Sequence, residues 1–470
     1  MSTLVWLRTD LRLHDNPAFS AAQGHGGPMM AMFLMAPEQW RLHGDAPVKK
    51  DFWLRNLYSL SKALAHLNIP LKLVNVQTWK QAPQALAAFC AKHQICRVHA
   101  NAEWGVNECR RDAAVASELK QDGIDLTLHP GPSLLIPGSV LTGKGEPYRV
   151  FTPFAKVCRE RLRTALPIAA PTLKVQKSLP CSPDPLPEHV DDDTADISDA
   201  LRAMWPAGET AAQKRLDTFM DESIALYQER RDFPGISGTS ALSPYLAAGV
   251  LSVGQCLRAA LAVNRGEIDS GGLGVRTWIR ELLWREFYLH LLAAYPLLSM
   301  HQPMREKTRS IPWRSAPDEL LAWQEGRTGI PIVDAAQRQL LACGWMHNRL
   351  RMISAMFLSK NLLMDWRVGE AWFMANLIDG DLATNNGGWQ WSASTGADAV
   401  PYFRIFNPIS QSRKFDPQAR FLRRWLPELA DLDDKAIHDP SPIERAACGY
   451  PVPIVDLKKS RLRALEAFSR

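Results

Sequence analysis

Apolar residues follow two different rhythms along this chain. In the first 130 residues, short apolar runs at 4–7, 29–34 and 71–76 alternate with stretches of helical period at 52–67 and 82–92. Short apolar runs bounded by turn residues read as buried strands, and their alternation with helices predicts a parallel α/β sheet with right-handed crossovers. The first strand runs into a charged loop, RTDLRLHDNPAF, and no G-x-G-x-x-G follows it, so the usual dinucleotide fingerprint is absent. From 167 to 200 the period disappears, and PTLKVQKSLPCSPDPLPEH reads as an irregular linker. The acidic run at 191–193 reads as solvated surface. Beyond it strand signals nearly vanish, and helical spacing holds over 211–230, 243–262, 274–294, 332–342 and 345–363. The expected fold is an α/β domain at 1–130, a linker at 131–205 and a larger all-α domain at 206–470.

Composition changes this picture little. A chain of 470 residues is too long for one core. The net charge of +6 permits a nucleic-acid partner without arguing for one. Eight cysteines with no C-x-x-C pair argue against a zinc site and a disulfide framework, and no metal site is expected. Free thiols suit a reducing compartment. The N-terminus carries charges where a secretory signal needs an apolar run, and no segment reads as a membrane span. A cytoplasmic protein without a membrane partner is expected. Sixteen tryptophans are unusual, but tryptophan mostly serves as core or interface mass.

Chemistry concentrates in four stretches of the second half. The densest is 372–408, where IDGDLATNNGGWQW precedes STGADAVPYFRIFNP. Asp379, Asp381, Asn385 and Asn386 stand among large aromatics, and buried polar groups need partners. In VRTWIRELLWREFYLHL, Trp278, Glu281 and Arg285 fall at i, i+3 and i+7 on one helical face, with Trp284 bordering it; Glu281 four before Arg285 is also an ordinary stabilising pair. In YQERRDFPGISGTSALSPYLAAG, hydroxyls and Pro244 at a helix start read either as a good cap or as a phosphate cradle. In ACGWMHNRLRMISAMFL, Asn348 and Met352 share a face while Arg349 and Arg351 point to different sides; His347 reads either as a ligand or, preferably, as a satisfied helix histidine. Basic residues interleave with flat aromatics throughout, the combination that phosphates and an extruded base require.

IDGDLATNNGGWQW with STGADAVPYFRIFNP resembles the flavin-binding heart of the photolyase/cryptochrome family, in the version of its bacterial class I members acting on cyclobutane pyrimidine dimers. The opening WLRTDLRLHDNPAF resembles that family's opening too, so the likeness spans most of the chain. It implies an α/β antenna domain before a helical domain that binds FAD and DNA, and a monomeric enzyme. The activity it implies is a carbon–carbon lyase reaction. Excited, reduced FAD passes an electron to a flipped-out pyrimidine dimer, the cyclobutane ring opens, and the electron returns.

The resemblance also implies residue roles. Tyr227, Thr239, Ser240, Leu242 and Ser243 would hold the FAD diphosphate and ribityl region, together with Ala241, where some relatives carry arginine. Trp278, Arg285, Arg351, Asp379 and Asp381 would complete the flavin site, with Asn385 opposite its reactive nitrogen. Trp284 and Trp391 would be the aromatic walls of the dimer pocket, with Glu281, Asn348 and Met352 lining it. Arg231, Arg349 and Arg404 would meet phosphate, Arg285 lying near flavin or phosphate. Trp389, Trp366 and Trp313 would carry an electron from the surface to the flavin. WGVNECRRD is similar to the segment with which folate-type members hold a pterin, so Asn107 and Glu108 would bind 5,10-methenyltetrahydrofolate. Where related members have a lysine reaching the folate tail, this chain has Ser299-Met300. A signalling cryptochrome would be expected to carry a C-terminal tail beyond PVPIVDLKKSRLRALEAFSR.

Overall fold

The computed structural model describes residues 2–469. Its first half holds a five-stranded, all-parallel sheet: β1 (Ser2–Leu7), β2 (Met29–Met35), β3 (Leu71–Asn75), β4 (Ile95–Asn101) and β5 (Asp125–His129), in the order β3-β2-β1-β4-β5. The central strands β1 and β2 are apolar without alternation because both of their faces are covered. The edge strands β3 and β5 are shorter and partly exposed. Asn16 starts the first crossover helix, Pro17–Gly24, by accepting from the N–H groups of Ala18 and Phe19.

The strand order reverses between β1 and β4, the crevice where open α/β sheets commonly bind ligands. Here charged side chains fill it. Arg8 donates to both oxygens of Asp112 at 2.6 Å and to the Asn101 carbonyl. Arg111 pairs with Glu103 at 2.8 Å, its guanidinium 4.9 Å from the Trp6 ring centroid and 4.5 Å from that of Trp79. Burial works against ionisation of Glu103, but Arg111 and Arg8 override it and hold the carboxyl at about 2.

The described residues form two compact units. One comprises Met1–Glu222, Ser240–Ser299 and Ile378–Gly380; the other comprises Ser223–Thr239, Met300–Leu377 and Asp381–Arg470. In the first unit the stretch 131–205 is not uniformly irregular. It contains the helix Phe151–Thr164, whose apolar face, with Phe151, Phe154 and Cys158, packs against the long helix Leu273–Ala294. Asp191, expected as solvated surface, caps a short helix and pairs with the buried Lys50.

The second unit is helical, as its periodicity predicts, and its core centres on Trp323, Trp366, Phe373 and Trp389. Three expected helices differ in extent. The stretch 211–230 is a helix over Glu209–Glu222 that breaks into single turns. The stretch 243–262 is two helices, Ser243–Ala247 and Val253–Val263. They part at Gly249, which has φ +64, and a Cβ there would stand 2.0 Å from the Thr9 carbonyl oxygen. Only glycine makes that turn at that approach. The stretch 345–363 is the helix Asn348–Met356 continued by a π turn over Phe357–Asn361. All eight cysteines are free thiols. Among the described residues no helix is long and apolar enough to cross a membrane.

Candidate flavin and DNA site

The helix Leu382–Ala393 begins at Asp381, whose Oδ1 accepts from the Thr384 N–H and hydroxyl at 2.9 Å. That cap explains the D-x-x-T spacing. One face of the helix, with Asn386, Trp389, Gln390 and Ala393, is buried in the core. The opposite face is half-open and carries Asn385, Gly388 and Trp391 at helical spacing. A Cβ on Gly388 would meet nothing within 4 Å, so open space borders an amide and an indole. Such a face suits a flat polar ring.

Asn385 is oriented from behind. Its Nδ2 donates to the Glu370 carbonyl at 3.0 Å, which directs Oδ1 away from that helix. Asn386 donates to the Glu370 carboxylate at 2.8 Å, and Gln390 donates to Asn386 at 2.9 Å. The buried Asn386 and Gln390 therefore have protein partners. Asp379, in the first unit, is buried. Arg351 donates from Nε to the Met346 carbonyl at 2.8 Å.

In the helix Leu273–Ala294, Glu281, Trp284, Arg285 and Tyr288 form a half-buried stripe at i, i+3, i+4 and i+7, while Trp278 is buried against Phe219. Trp284 is stacked on Phe151 with ring centroids 3.7 Å apart and planes 6° from parallel. Phe287 meets it edge-on at 5.8 Å. Two rings thus fix the orientation of the indole. Arg285 donates to the Pro132 carbonyl.

At the hydroxyl-rich turn, Leu242 rather than a serine occupies the cap of Ser243–Ala247, and no side chain caps that helix. Ser243 is the first helical residue, so the good cap that the sequence suggested is not formed by a side chain. Ala241 has φ +48, which turns the chain sharply before the helix. Thr239 and Ser240 are half-buried, and Tyr227 is buried with the Arg231 guanidinium 5.3 Å from its ring centroid.

A groove of about 470 Å³ in the second unit is lined by Arg349, Arg404 and Lys414 with Asp232, over Phe233 and Phe415. Arg349 pairs with Asp232 at 2.8 Å and lies 4.3 Å from the Phe415 ring centroid. Its Nε is buried without a protein acceptor. The cationic side chains of Arg349, Arg404 and Lys414 on one groove suit a phosphate. Asn348 is exposed and Met352 half-buried on the adjoining helix. His347 is its cap, Nδ1 accepting from the Arg349 N–H at 3.1 Å, which gives this histidine a structural role.

Of the three tryptophans expected to carry electrons, Trp389 and Trp366 are buried in one core cluster and Trp313, half-exposed, packs against it. The aromatic neighbours of Trp389 are Phe373 at 4.9 Å and Trp323 at 6.2 Å. In the first unit, Asn107 donates toward His43 at 3.0 Å. Glu108 folds back over Gly105; burial, helped by the Glu103 charge, pushes its carboxyl up to about 7. Ser299 accepts from the Val106 N–H at 3.3 Å, so it stands at the same helix start.

Phe151, Glu370, Lys414 and Asp232 belong to these constellations without having signalled it in the sequence. Phe151 lies 133 positions from Trp284, and Glu370 sits in a helix with no motif of its own. Among the described residues no group of His, Cys, Asp and Glu could hold a metal ion.

Comparison with known proteins agrees with this geometry. Residues 278–470 match the family model described as the FAD binding domain of DNA photolyase, and residues 3–172 match that described as DNA photolyase. A deoxyribodipyrimidine photo-lyase of Escherichia coli K12 is 44% identical, the alignment covering 99% of this chain and 98% of that protein. One from Neurospora crassa is 38% identical over 99% of this chain and 81% of its own length. A bacterial class III photolyase of Agrobacterium tumefaciens superimposes with a TM-score of 0.88 at 35% identity, covering 100% of this chain and 97% of that one. A Synechocystis cryptochrome does so at 0.87 and 28% identity, with 99% of each chain covered. With both halves matched and full-length relatives at this identity, the chain belongs to the DNA photolyase family.

Proposed function

We propose that the two half-open helical faces hold FAD and a flipped-out cyclobutane dimer in the light-driven repair of DNA. The activity itself follows from the family: the chain is a deoxyribodipyrimidine photo-lyase and an FAD flavoprotein. The observation that carries the residue assignment is the stripe of Glu281, Trp284, Arg285 and Tyr288, with its indole already fixed by Phe151. Trp284 and Trp391 offer flat faces to an extruded base, and Glu281 offers a carboxylate to its edge. Asn348 and Met352 would offer further contacts to the dimer. Arg231, Arg349 and Arg404 hold phosphate, which makes binding salt-dependent.

The residues present fit FAD. The bare Gly388 leaves room for a ring system beside the oriented amide of Asn385. Thr239, Ser240, Ala241, Leu242, Ser243 and Tyr227 would hold its diphosphate and ribityl region. Trp278, Arg285, Arg351, Asp379 and Asp381 would surround the rest. When bound, FAD supplies the light-excited electron donor. The side chains supply position and exclude water, and Trp389, Trp366 and Trp313 offer an electron route through one core.

Gly388→Leu tests this face. Open space at the Cβ means the fold tolerates the change, with a helix-propensity gain of up to about 1 kcal/mol. Thermal stability of the flavin-free protein is expected to hold while FAD or dimer binding falls at least tenfold. Unchanged FAD content and dimer affinity would remove this face from the site.

For the antenna we favour 5,10-methenyltetrahydrofolate at Asn107 and Glu108, in a monomeric, cytoplasmic protein. The charged side chains filling the β1/β4 crevice favour a chromophore outside it. The folate's near-ultraviolet band should survive desalting of the wild-type protein and be lost in Glu108→Ala. Equal retention by both would put the antenna elsewhere.

A further inference from the structure

His301 and Glu370 form a pair that the assignments above leave without a task. Glu370 is 1% exposed, while His301 is 56% exposed, and His301 Nδ1 lies 2.8 Å from Glu370 Oε2. The other Glu370 oxygen accepts from Asn386, and its backbone carbonyl accepts from Asn385. One residue therefore anchors both neighbouring amides and also meets a titratable group at the surface. His301 is held there against its own preference, at φ +56, where a side chain is uncommon. Three bonds pin its loop: Arg367 Nε donates to the His301 carbonyl at 2.6 Å, Gln390 donates to the Gln302 carbonyl at 3.1 Å, and the Met304 N–H donates to Gln390 at 2.9 Å. Gln390 lies on the helix that carries Asn385, so the loop and the amide share one frame.

A buried carboxylate without a cation is costly, and a second negative charge close by makes it more so. A reduced flavin carries a negative charge. We propose that Glu370 is a positioning residue that aims Asn385 at the flavin, and that the imidazolium of His301 compensates Glu370 so that a negatively charged, reduced flavin is tolerated beside it. This rests on the reading that Asn385 faces the flavin.

The titration of His301 sets the pH range. The Glu370 hydrogen bond raises its pKa above the ordinary histidine value, with burial and the Arg367 charge acting the other way. Arg367 is itself paired with Asp365 at 2.9 Å, which blunts its effect. A raised histidine pKa means that the ion pair is complete below the ordinary value near 6.5 and is lost as pH rises through the folded value.

The test is the flavin reduction potential of the FAD-loaded protein, followed by absorbance against a reference dye from pH 6 to pH 9. His301→Gln is expected to shift the reduction equilibrium toward oxidised flavin by roughly three- to tenfold at pH 6, with the difference from wild type vanishing by pH 9. Glu370→Gln removes the buried charge, so adding His301→Gln to it should change nothing further. A His301→Gln potential equal to wild type at pH 6 overturns the proposal, and that variant decides alone if Glu370→Gln does not fold. Asn385→Ala separates the two ways of failing. If it moves the potential while His301→Gln does not, the charge pair alone is wrong; if neither moves it, the placement of Asn385 against the flavin falls too.

Discussion

Trp284→Ala is expected to lower affinity for dimer-containing DNA by roughly tenfold to a hundredfold while bound FAD stays at its wild-type level. The indole stands in the half-open stripe of the Leu273–Ala294 helix, and one of its faces already rests on Phe151 at 3.7 Å. Stacking of a base on an aromatic ring contributes about 1–3 kcal/mol, which sets the size of the loss. Trp284→Phe keeps a flat face and should recover most of the affinity. Phe151→Ala removes the support and also opens a core cavity beside Phe287, so its affinity loss should be intermediate and its stability lower. These affinities are read by competition between dimer-containing and undamaged duplex at one fixed salt concentration, because phosphate contacts make every constant salt-dependent. Wild-type discrimination in Trp284→Ala would remove this residue from the dimer pocket.

Gly369→Ala is expected to strain the core of the helical unit around Trp389. A Cβ there would stand 2.1 Å from Trp389 Cη2, 2.5 Å from Cζ3 and 2.6 Å from Leu358 Cδ2. Trp389 is 2% exposed and hemmed in by Phe373 and Trp323, so the ring has little room to retreat. Overpacking of this kind costs about 1–3 kcal/mol, against a helix-propensity gain below about 1 kcal/mol. A melting temperature lower by several degrees is the expected result. If Trp389 carries electrons to the flavin, photoreduction slows in the same variant. A wild-type melting temperature would mean that the Gly369–Trp389 contact is not as tight as described.

The fold was readable wherever burial imposes a period. Strands β1 and β2 announced themselves as unbroken apolar runs because they are covered on both faces, and the 273–294 helix announced its open stripe through Glu281 and Arg285. Element ends were less readable where a distant atom decides them. Gly249 breaks a helix because its backbone approaches the Thr9 carbonyl, which no local pattern reveals. The helix start at 242–244 was readable, but the expected side-chain cap is absent because Leu242 occupies the cap position, after a turn with Ala241 at positive φ.

The same limit applies to the site. Residues within one helix face, such as Glu281 and Arg285, could be read from spacing, whereas Asn385 and Trp391 were assigned by the family resemblance. Supporting residues could not, because their signal is spatial: Phe151 meets Trp284 across 133 positions of sequence, and Glu370 reaches Asn385 and Asn386 from a helix of otherwise ordinary composition. His347 illustrates the converse. A ligand role was the other reading of its sequence, and its Nδ1 proves to be a helix cap, in line with the preferred structural one.

The most direct measurement of the central claim is dimer reversal itself. Purified protein with reduced FAD is incubated with an oligonucleotide carrying one defined cyclobutane thymine dimer, in blue light and in darkness, and recovery of base absorbance is followed. Recovery in light, none in darkness, and a strong loss in Trp284→Ala are the results predicted. No recovery in light, with FAD bound and reduced and the dimer bound, would contradict the account.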